Sequence, residues 1–143
     1  MKFIRDRMGI SEHYFARRWI LDFVRFSLRL HHWTGSDDQR ALHDHPAWFI
    51  TLILWGGYDD ITESGVEKLR FGSLRFRKAE YAHTVKNVYK NTWTLCIFGK
   101  NSRRWSFYPF DGKRMKRDKY FAEYGHHTAT DEVIRIRPDG TRI

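Results

Sequence analysis

Hydrophobic and polar residues alternate along several short segments of the chain, and this alternation predicts β-strands. It is clearest in RFSLRLHHW at 25–33, where the even-numbered positions are mostly apolar and the odd-numbered positions are mostly polar. Further strands are predicted at 48–55, 68–77, 83–89, 92–98 and 103–108. Turn residues separate several of them, as in TGSDD at 34–38 and WGGYDD at 55–60. Strands so short and so closely spaced predict an all-β fold, an antiparallel sandwich or barrel.

Helical patterns are weak and lie outside this run of strands. Ser11 could cap a short helix that ends near residue 18, and a second helix is predicted at 113–124. The chain has 143 residues and shows no linker or repeat, so we predict a single domain. We divide it into an N-terminal extension at 1–16, a barrel core at 17–110, and a basic segment and tail at 111–143. The closing VIRIRPDGTRI is compatible with a terminal hairpin and with a tail.

The composition favours a folded protein of a reducing compartment. A hydrophobic fraction of 41% with 17% aromatic residues argues against disorder, despite a net charge of +9. Cys96 is the only cysteine, so no internal disulfide can form, and its apolar surroundings predict a buried residue without a chemical role. No stretch has the roughly 18 apolar residues of a spanning helix, and the first residues resemble no export signal. We therefore expect a soluble cytoplasmic protein that does not bind membranes.

Two histidines stand one residue apart in HDHP at 43–46, just before a long apolar run. In a strand, residues i and i+2 point to the same side, so His43 and His45 can converge on one ion while Asp44 points away. A further ligand is expected in EYAHTVKN, where His83 begins another predicted strand. Neutral imidazole suits iron, zinc, nickel and copper better than calcium or magnesium. The pattern predicts a transition-metal site, although HxH also occurs in proteins that bind no metal.

These histidines lie in two motifs that resemble those of the cupin superfamily. The first cupin motif combines a glycine, HxH, a glutamate and a second glycine, and the second motif reads G(x5)PxG(x2)H(x3)N. The matching residues are Gly35, His43, His45 and Gly56 or Gly57 in the first motif, and Gly72, His83 and Asn87 in the second, with Lys78 and Glu80 in place of the proline and glycine. The wider sequence is similar to a group of small cupin proteins of phages and bacteria. The resemblance implies a single-domain double-stranded β-helix, a jelly-roll-like barrel with the metal in its mouth.

One departure from the cupin pattern changes the expected chemistry. Phe49 or Ile50 stands where the cupin glutamate ligand would be, so the site would have three histidine ligands. In this respect the chain resembles cysteine dioxygenase and related thiol dioxygenases. Three neutral ligands leave the charge of a divalent ion uncompensated and leave positions open, which favours a small anionic substrate and dioxygen. We expect Fe(II) in preference to Zn(II) or Ni(II), and a mononuclear non-heme dioxygenase-type enzyme.

Several other residues are candidates for contacts around the metal or the substrate. His31 and His32 have opposite strand parity, so only one of them can face the barrel interior, and the sequence leaves open which one. Arg75 and Arg77 are candidates to hold a substrate carboxylate, although a solvated outer face is the simpler explanation. The remaining candidates are Phe49 as an apolar wall beside the metal, Tyr81 near the third histidine, and Asn87 of the second motif.

A basic segment overlaps the last predicted strand and continues beyond it. Residues 100–119 hold eight Lys or Arg against two acidic residues and are interleaved with aromatic side chains. Lys113, Arg114, Lys116 and Arg117 are therefore candidates to contact nucleic acid. A solubilising surface is the simpler explanation because no nucleic-acid-binding motif accompanies them, so we expect such binding to be weak and non-specific.

Three functions thus remain open from the sequence. The first is the iron enzyme described above. The second is a cupin without redox chemistry, acting as an isomerase, a lyase or a ligand-binding module, because one fold hosts many functions. The third is a nucleic-acid-associated protein whose histidines only brace the barrel. The sequence also leaves open whether the chain forms a homodimer.

Overall fold

A computed structural model describes residues 5–8, 15–37, 41–89, 91–109 and 113–124 of the chain. Strands dominate these residues, and one short helix follows them. The elements are β1 (Arg5–Met8), β2 (Phe15–Asp22), β3 (Phe26–Trp33), β4 (Leu42–His43), β5 (Phe49–Trp55), β6 (Gly57–Thr62), β7 (Gly65–Arg70), β8 (Leu74–Arg77), β9 (Thr84–Lys86), β10 (Thr92–Gly99), β11 (Ser106–Tyr108), β12 (Met115–Lys116) and α1 (Arg117–Tyr124).

The strands pair in three antiparallel sheets. The large sheet has the order β1-β2-β3-β10-β5-β8, and two three-stranded sheets have the orders β7-β6-β9 and β12-β11-β4. Non-consecutive strands lie side by side in each sheet; β10, for example, separates β3 from β5. The chain therefore combines hairpins, such as β2-β3 and β6-β7, with crossings between sheets, as in a jelly roll.

Alternation gives the large sheet a buried inner face and a more exposed outer face. Along β10 the inner residues Thr94, Cys96 and Phe98 are buried, whereas Ile97 is exposed. Along β3 the buried positions are Ser27 and His31, which belong to the polar side of the sequence pattern. The barrel interior is therefore partly polar, and much of the apolar side of the strands faces outward.

Apolar clusters join the small sheets to the rest of the molecule. Ile53 of the large sheet packs with Tyr58, Leu69 and Val85 of the β7-β6-β9 sheet. On the β12-β11-β4 sheet, the buried ring of Tyr120 from α1 stacks on Phe107 of β11, with ring centroids 4.0 Å apart. Burial of these large side chains fixes how each small sheet lies against its neighbours.

Several sequence predictions of secondary structure are wrong. Residues 15–18 are not helical, because β2 begins at Phe15 and pairs with β3 along its length; strand pairing here outweighs the weak local helical signal. The segment 68–77 is not one strand, because Gly72 adopts a left-handed φ of 83° between β7 and β8, which lie in different sheets. The second predicted helix is confirmed only from Arg117 onward, since Met115–Lys116 form β12.

The stretch WGGYDD, predicted as a turn, instead runs into strand β6. A turn remains at its start, where Gly57 has a φ of 155° and a Cβ there would lie 2.3 Å from the carbonyl oxygen of Leu69. Only glycine allows β6 and β7 to approach so closely at this point. The closing VIRIRPDGTRI lies outside the described residues, and no helix within the described ranges is long and apolar enough to cross a bilayer.

Candidate metal centre

The three histidines predicted as ligands come together beside β11. His43 ends β4, His45 follows two residues later, and His83 directly precedes β9. His43 and His83 exchange two backbone hydrogen bonds with N···O distances of 2.8 and 2.9 Å. The backbone N–H of His45 donates to the carbonyl oxygen of Ala79 at 2.9 Å. Backbone pairing therefore aligns the two predicted motifs next to each other.

The imidazole rings of these residues face one another. Their ring centroids are 4.9–5.1 Å apart, and the Nε2 atoms of His45 and His83 are 2.9 Å apart. One nitrogen from each of the three rings lies within 4.8 Å of the others. Two nitrogens that each lie about 2.1 Å from one ion, at a right angle, are about 3 Å apart, so the spacing fits a shared metal. The three histidines form a group that could hold a transition-metal ion.

Two buried aspartates orient two of the rings. Nδ1 of His83 lies 2.5 Å from Oδ1 of Asp60, and Nδ1 of His43 lies 3.3 Å from Oδ2 of Asp37. A histidine whose Nδ1–H donates to a carboxylate presents an unprotonated Nε2, which is the form that binds metals. The aspartates therefore favour the tautomer and the ring orientation that a metal centre needs.

Asp60 is the centre of a larger hydrogen-bond network. Its Oδ2 accepts hydrogen bonds from the hydroxyl of Tyr81 at 3.0 Å and from Nη2 of Arg77 at 3.2 Å. Burial alone would raise the pKa of Asp60, but the hydrogen bond from His83 and the neighbouring donors lower it below its ordinary value. Asp60 is therefore a carboxylate at neutral pH, and it links His83 to Tyr81 and Arg77.

Three residues predicted as substrate contacts are engaged by acidic side chains of the protein. Arg77 contacts Glu67 in addition to the network described above, and Nε of Arg75 lies 2.5 Å from the same carboxylate. Asn87, which has a positive φ of 50°, donates to Asp59 at 2.8 Å. These contacts hold β6, β7 and β8 together around the centre.

Aromatic rings enclose the side of the centre where the cupin glutamate would stand. Phe49 is 5% exposed, and its ring lies 4.4 Å from that of His45. It stacks on Phe98, with centroids 5.3 Å apart. Tyr81 lies 5.2 Å from His83, ring to ring. An apolar wall thus replaces a charged ligand at this position.

No protein-family model matches the sequence, and no curated protein matches it significantly. Solved structures do match its fold. An RmlC-like cupin from Shewanella frigidimarina NCIMB 400 is 10% identical, with a TM-score of 0.54 over 71% of this chain and 87% of that chain. A putative mannose-6-phosphate isomerase from Ralstonia eutropha JMP134 is 14% identical, with a TM-score of 0.57 over 65% and 89%. The polyketide cyclase RemF from Streptomyces resistomycificus is 16% identical, with a TM-score of 0.54 over 71% and 80%.

The chain has the cupin fold. The resemblance seen in the two sequence motifs is therefore confirmed at the level of the fold, and the three-histidine group lies where those motifs predict it. The similarity in sequence is too low to transfer an activity or a substrate from these structures.

In this cupin barrel the middle residue of HxH has a separate role. Asp44 is fully buried and accepts hydrogen bonds from the backbone N–H of Ser106 at 2.7 Å, from Nη2 of Arg103 at 2.7 Å and from the hydroxyl of Tyr108 at 3.0 Å. These bonds tie the loop after β4 to β11 and to the segment before it. Because Asp44 lies between His43 and His45 in the chain, these bonds also fix the backbone that carries the two histidines.

The two adjacent histidines of β3 face opposite ways. His31 is buried on the inner face, with Nδ1 3.5 Å from Sγ of Cys96 and its ring 5.9 Å from that of Phe98. His32 lies on the outer face, stacked on Trp93 with centroids 4.2 Å apart. Of the two candidates, His31 is the one near the interior of the barrel.

His45 is neutral over a wide pH range. Withdrawal of its ring from water is the main cause, and the charges of the neighbouring histidines and of Arg29 act in the same direction. Together they place the pKa of His45 well below its ordinary value. A neutral imidazole has a free lone pair, so this shift favours metal binding by His45.

The basic residues proposed to contact nucleic acid lie around β12 and the start of α1. Lys113, Lys116 and Arg117 are exposed. Arg114 is also exposed, but its Nε lies 3.8 Å from Asp44. The ring of Trp105 packs against other aromatic residues of the small sheet, at 5.3 Å from Phe107, so it is not an open stacking surface.

Sequence reasoning missed Asp37 and Asp60. Both belong to acidic pairs, in TGSDD and WGGYDD, that we predicted to be turns. No alternation marks Asp60 as a strand position, because the first four residues of β6 are all buried. The position of Asp60 beside His83 depends on the pairing of β6 with β9, which no local pattern reveals.

Proposed function

We propose that the protein is a metal-dependent enzyme in which His43, His45 and His83 hold one divalent transition metal. The substrate is a small anionic molecule. The convergence of the Nε2 atoms of His45 and His83 at 2.9 Å carries the proposal. Histidines that only braced the barrel would not need two nitrogens to face each other, nor buried carboxylates behind two of the rings.

Iron(II) bound by these residues would supply redox chemistry toward dioxygen, and zinc or nickel would supply Lewis-acid chemistry. The surrounding residues have simpler tasks. Asp37 and Asp60 lie beside Nδ1 of His43 and His83 and hold both rings in place. Phe49 and Phe98 exclude water from one side of the centre. The hydroxyl of Tyr81, fixed by Asp60, is a hydrogen-bond donor close to His83.

Within this proposal we prefer a mononuclear Fe(II) dioxygenase-type reaction. The reason is the replacement of a carboxylate ligand by the apolar wall of Phe49. Three neutral imidazoles leave the charge of the ion to be balanced by an anionic substrate, and they leave room for a second small molecule.

The alternative is a cupin enzyme without redox chemistry. Two proteins of the same fold are described as enzymes of this kind, a putative isomerase and a polyketide cyclase. The Tyr81–Asp60 hydrogen bond would suit proton transfer in such a reaction.

Metal analysis of the purified protein, followed by oxygen uptake, tests the proposal. We expect about one equivalent of metal per chain and, after loading with Fe(II), oxygen consumption with at least one member of a panel of small carboxylic acids and thiols. The His32→Ala variant is the matched control, because His32 lies on the outer face. Stoichiometric metal without oxygen uptake would favour the non-redox alternative. A protein that binds no divalent transition metal would overturn the proposal.

A further inference from the structure

The outer face of the large sheet carries two rows of apolar side chains that cross four adjacent strands. The strand register gives one row of Leu28, Ile97, Ile50 and Phe76, and a neighbouring row of Leu30, Leu95, Leu52 and Leu74. Residues that lie opposite each other in paired strands project from the same face of a sheet. The two rows therefore form one continuous apolar surface, which we call the outer patch.

The outer patch is open to solvent over much of its area. Leu74 is 59% exposed, Phe76 57% and Ile97 36%, and the other five residues are half-buried. Leu54 continues the patch along β5, and the ring of Trp48 lies 6.0 Å from that of Phe76. Side chains of this size and exposure present roughly 600 Å² of apolar surface, which is at the upper limit of what a monomeric protein usually exposes.

The charge of the patch restricts the kind of partner that fits it. No charged residue interrupts the two rows, although the chain has a net charge of +9. On β8 the charged side chains, Arg75 and Arg77, point to the inner side and pair with Glu67. A nucleic acid or an acidic protein would be attracted to basic residues elsewhere and would gain nothing from this surface. A partner for the patch must itself be uncharged and apolar over a similar area.

A second copy of the same chain meets this requirement. It offers an uncharged apolar face of equal size, and a two-fold axis through the patch would bury the face of each copy against that of the other. Sheets that pack face to face lie about 10 Å apart. A stable interface buries about 800 Å² on each partner, so the outer patch with a narrow polar rim is large enough.

The remainder of the chain is a poorer occupant of the patch. The longest segment outside the described residues is 125–143, and it contains six charged residues and only five aliphatic ones. Covering the patch with this segment would bring charged side chains onto an apolar surface, which is unfavourable unless they are paired. A second copy brings no such charge.

We propose that the protein forms a symmetric homodimer through the outer patch. Ile97 and Leu52 lie at its centre, because each has patch residues on both neighbouring strands. The interface lies on the side of the sheet opposite to Phe49 and Phe98, which pack beside His45. Dimer formation therefore leaves the candidate metal centre of each copy intact, and the inference is independent of the proposed function.

Sedimentation velocity of the full chain, from nanomolar to micromolar concentration, tests the proposal. We expect the wild type to sediment with twice the mass of one chain in the micromolar range. Ile97→Lys and Leu74→Lys should weaken the dimer about 100-fold or more, because the two-fold axis places two lysines in one apolar interface. Leu74 is the more exposed of the two positions, so Leu74→Lys keeps the test valid if Ile97→Lys does not fold.

Val66→Lys is the matched control. Val66 is 59% exposed, as Leu74 is, but it belongs to β7 in another sheet. The variant adds the same charge and should dimerise as the wild type does, and circular dichroism shows that each variant is folded. A dimer that survives in both patch variants, or one that is lost equally in Val66→Lys, would overturn the proposal. So would a monomeric wild type; if Leu74→Lys were then less stable than Val66→Lys, the chain's own terminal residues would be the occupant of the patch.

Discussion

Nδ1 of His83 lies 2.5 Å from Oδ1 of Asp60, and this carboxylate is 2% exposed. The contact holds the ring of a proposed ligand in one orientation, with its Nε2 beside that of His45. We expect Asp60→Asn to lower metal affinity about 10- to 100-fold, the usual cost of losing such a partner. Competition with a chromophoric chelator measures this change.

Asp59→Asn is the control for this prediction. Asp59 is the preceding residue of β6, and it pairs with Arg70 and Asn87 instead of a histidine. We expect it to bind metal as the wild type does. Equal affinities in the wild type and in Asp60→Asn would mean that the hydrogen bond does not support the metal centre.

His83→Ala should abolish binding of one metal equivalent and leave the barrel folded. The residue contributes a side chain to the group of three imidazoles, but its backbone pairing with His43 does not depend on that side chain. Metal content by mass spectrometry and the circular dichroism spectrum check the two parts of the expectation. His32→Ala should keep its metal, and full occupancy in His83→Ala would exclude the proposed ligand set.

Most of the metal site could be predicted from the sequence, because the spacing that places its residues on one side of a strand is local. In an extended segment the HxH spacing alone places His43 and His45 on one side, and the second motif then adds His83. Phe49 follows from the same two-residue periodicity, and it is buried beside His45. Strand parity is a short-range property, so His45 and Phe49 could be derived from their neighbours, whereas His83 came from the resemblance of the second motif.

The carboxylates behind the rings and the arginine of β3 could not be derived in this way. Asp60 reaches His83 because β6 pairs with β9, with Ile61 opposite Thr84. Arg29 lies inside the barrel because the polar side of β3 faces inward, contrary to the ordinary rule that the apolar side does. Both outcomes depend on how distant strands assemble, and a single sequence carries little information about that assembly.

Replacement of Asp44 should destabilise the protein strongly. Its buried carboxylate accepts hydrogen bonds from Arg103, Tyr108 and the backbone of Ser106, and Asp44→Ala would leave these donors without their acceptor. We expect a loss of about 3 kcal/mol in the free energy of unfolding, measured by urea denaturation. Glu80→Ala is a matched control because Glu80 contacts the same arginine at 3.7 Å with a carboxylate that is 69% exposed; its effect should stay within about 0.5 kcal/mol. Similar losses in the two variants would contradict the importance of the buried network.

Stability should decrease at acidic pH partly through Asp59. Partial desolvation opposes the shift, but hydrogen bonds from Asn87 and Arg70 lower the pKa of Asp59 below its ordinary value. A carboxyl with a lower pKa in the folded state binds fewer protons there than in the unfolded state, so it stabilises the fold above the unfolded pKa of about 4. That contribution is lost as the pH falls through the folded pKa. Thermal unfolding between pH 6 and pH 2 should therefore show a smaller acid destabilisation in Asp59→Asn, and identical curves would contradict this assignment.

The basic residues around β12 either neutralise phosphates or keep the protein soluble, and salt dependence separates the two roles. If Lys113, Arg114, Lys116 and Arg117 bind nucleic acid, the logarithm of affinity should fall with the logarithm of salt by about 0.7 to 0.9 for each neutralised phosphate. Replacing all four with glutamine should then flatten the slope. We expect only weak, sequence-independent binding at low salt and little at physiological salt, because a net charge of +9 attracts polyanions without a dedicated site.

Arg114 requires a separate control in that experiment. Its Nε lies 3.8 Å from Asp44, so the fourfold variant also disturbs the buried network behind His43 and His45. The double variant Lys113→Gln, Lys116→Gln removes two exposed charges and leaves this contact intact. A real nucleic-acid surface would lose affinity in the double variant in proportion to the charges removed, while a solubilising surface would change only the solubility. Submicromolar binding that persists at physiological salt and is lost in the double variant would show that nucleic acid is a specific partner.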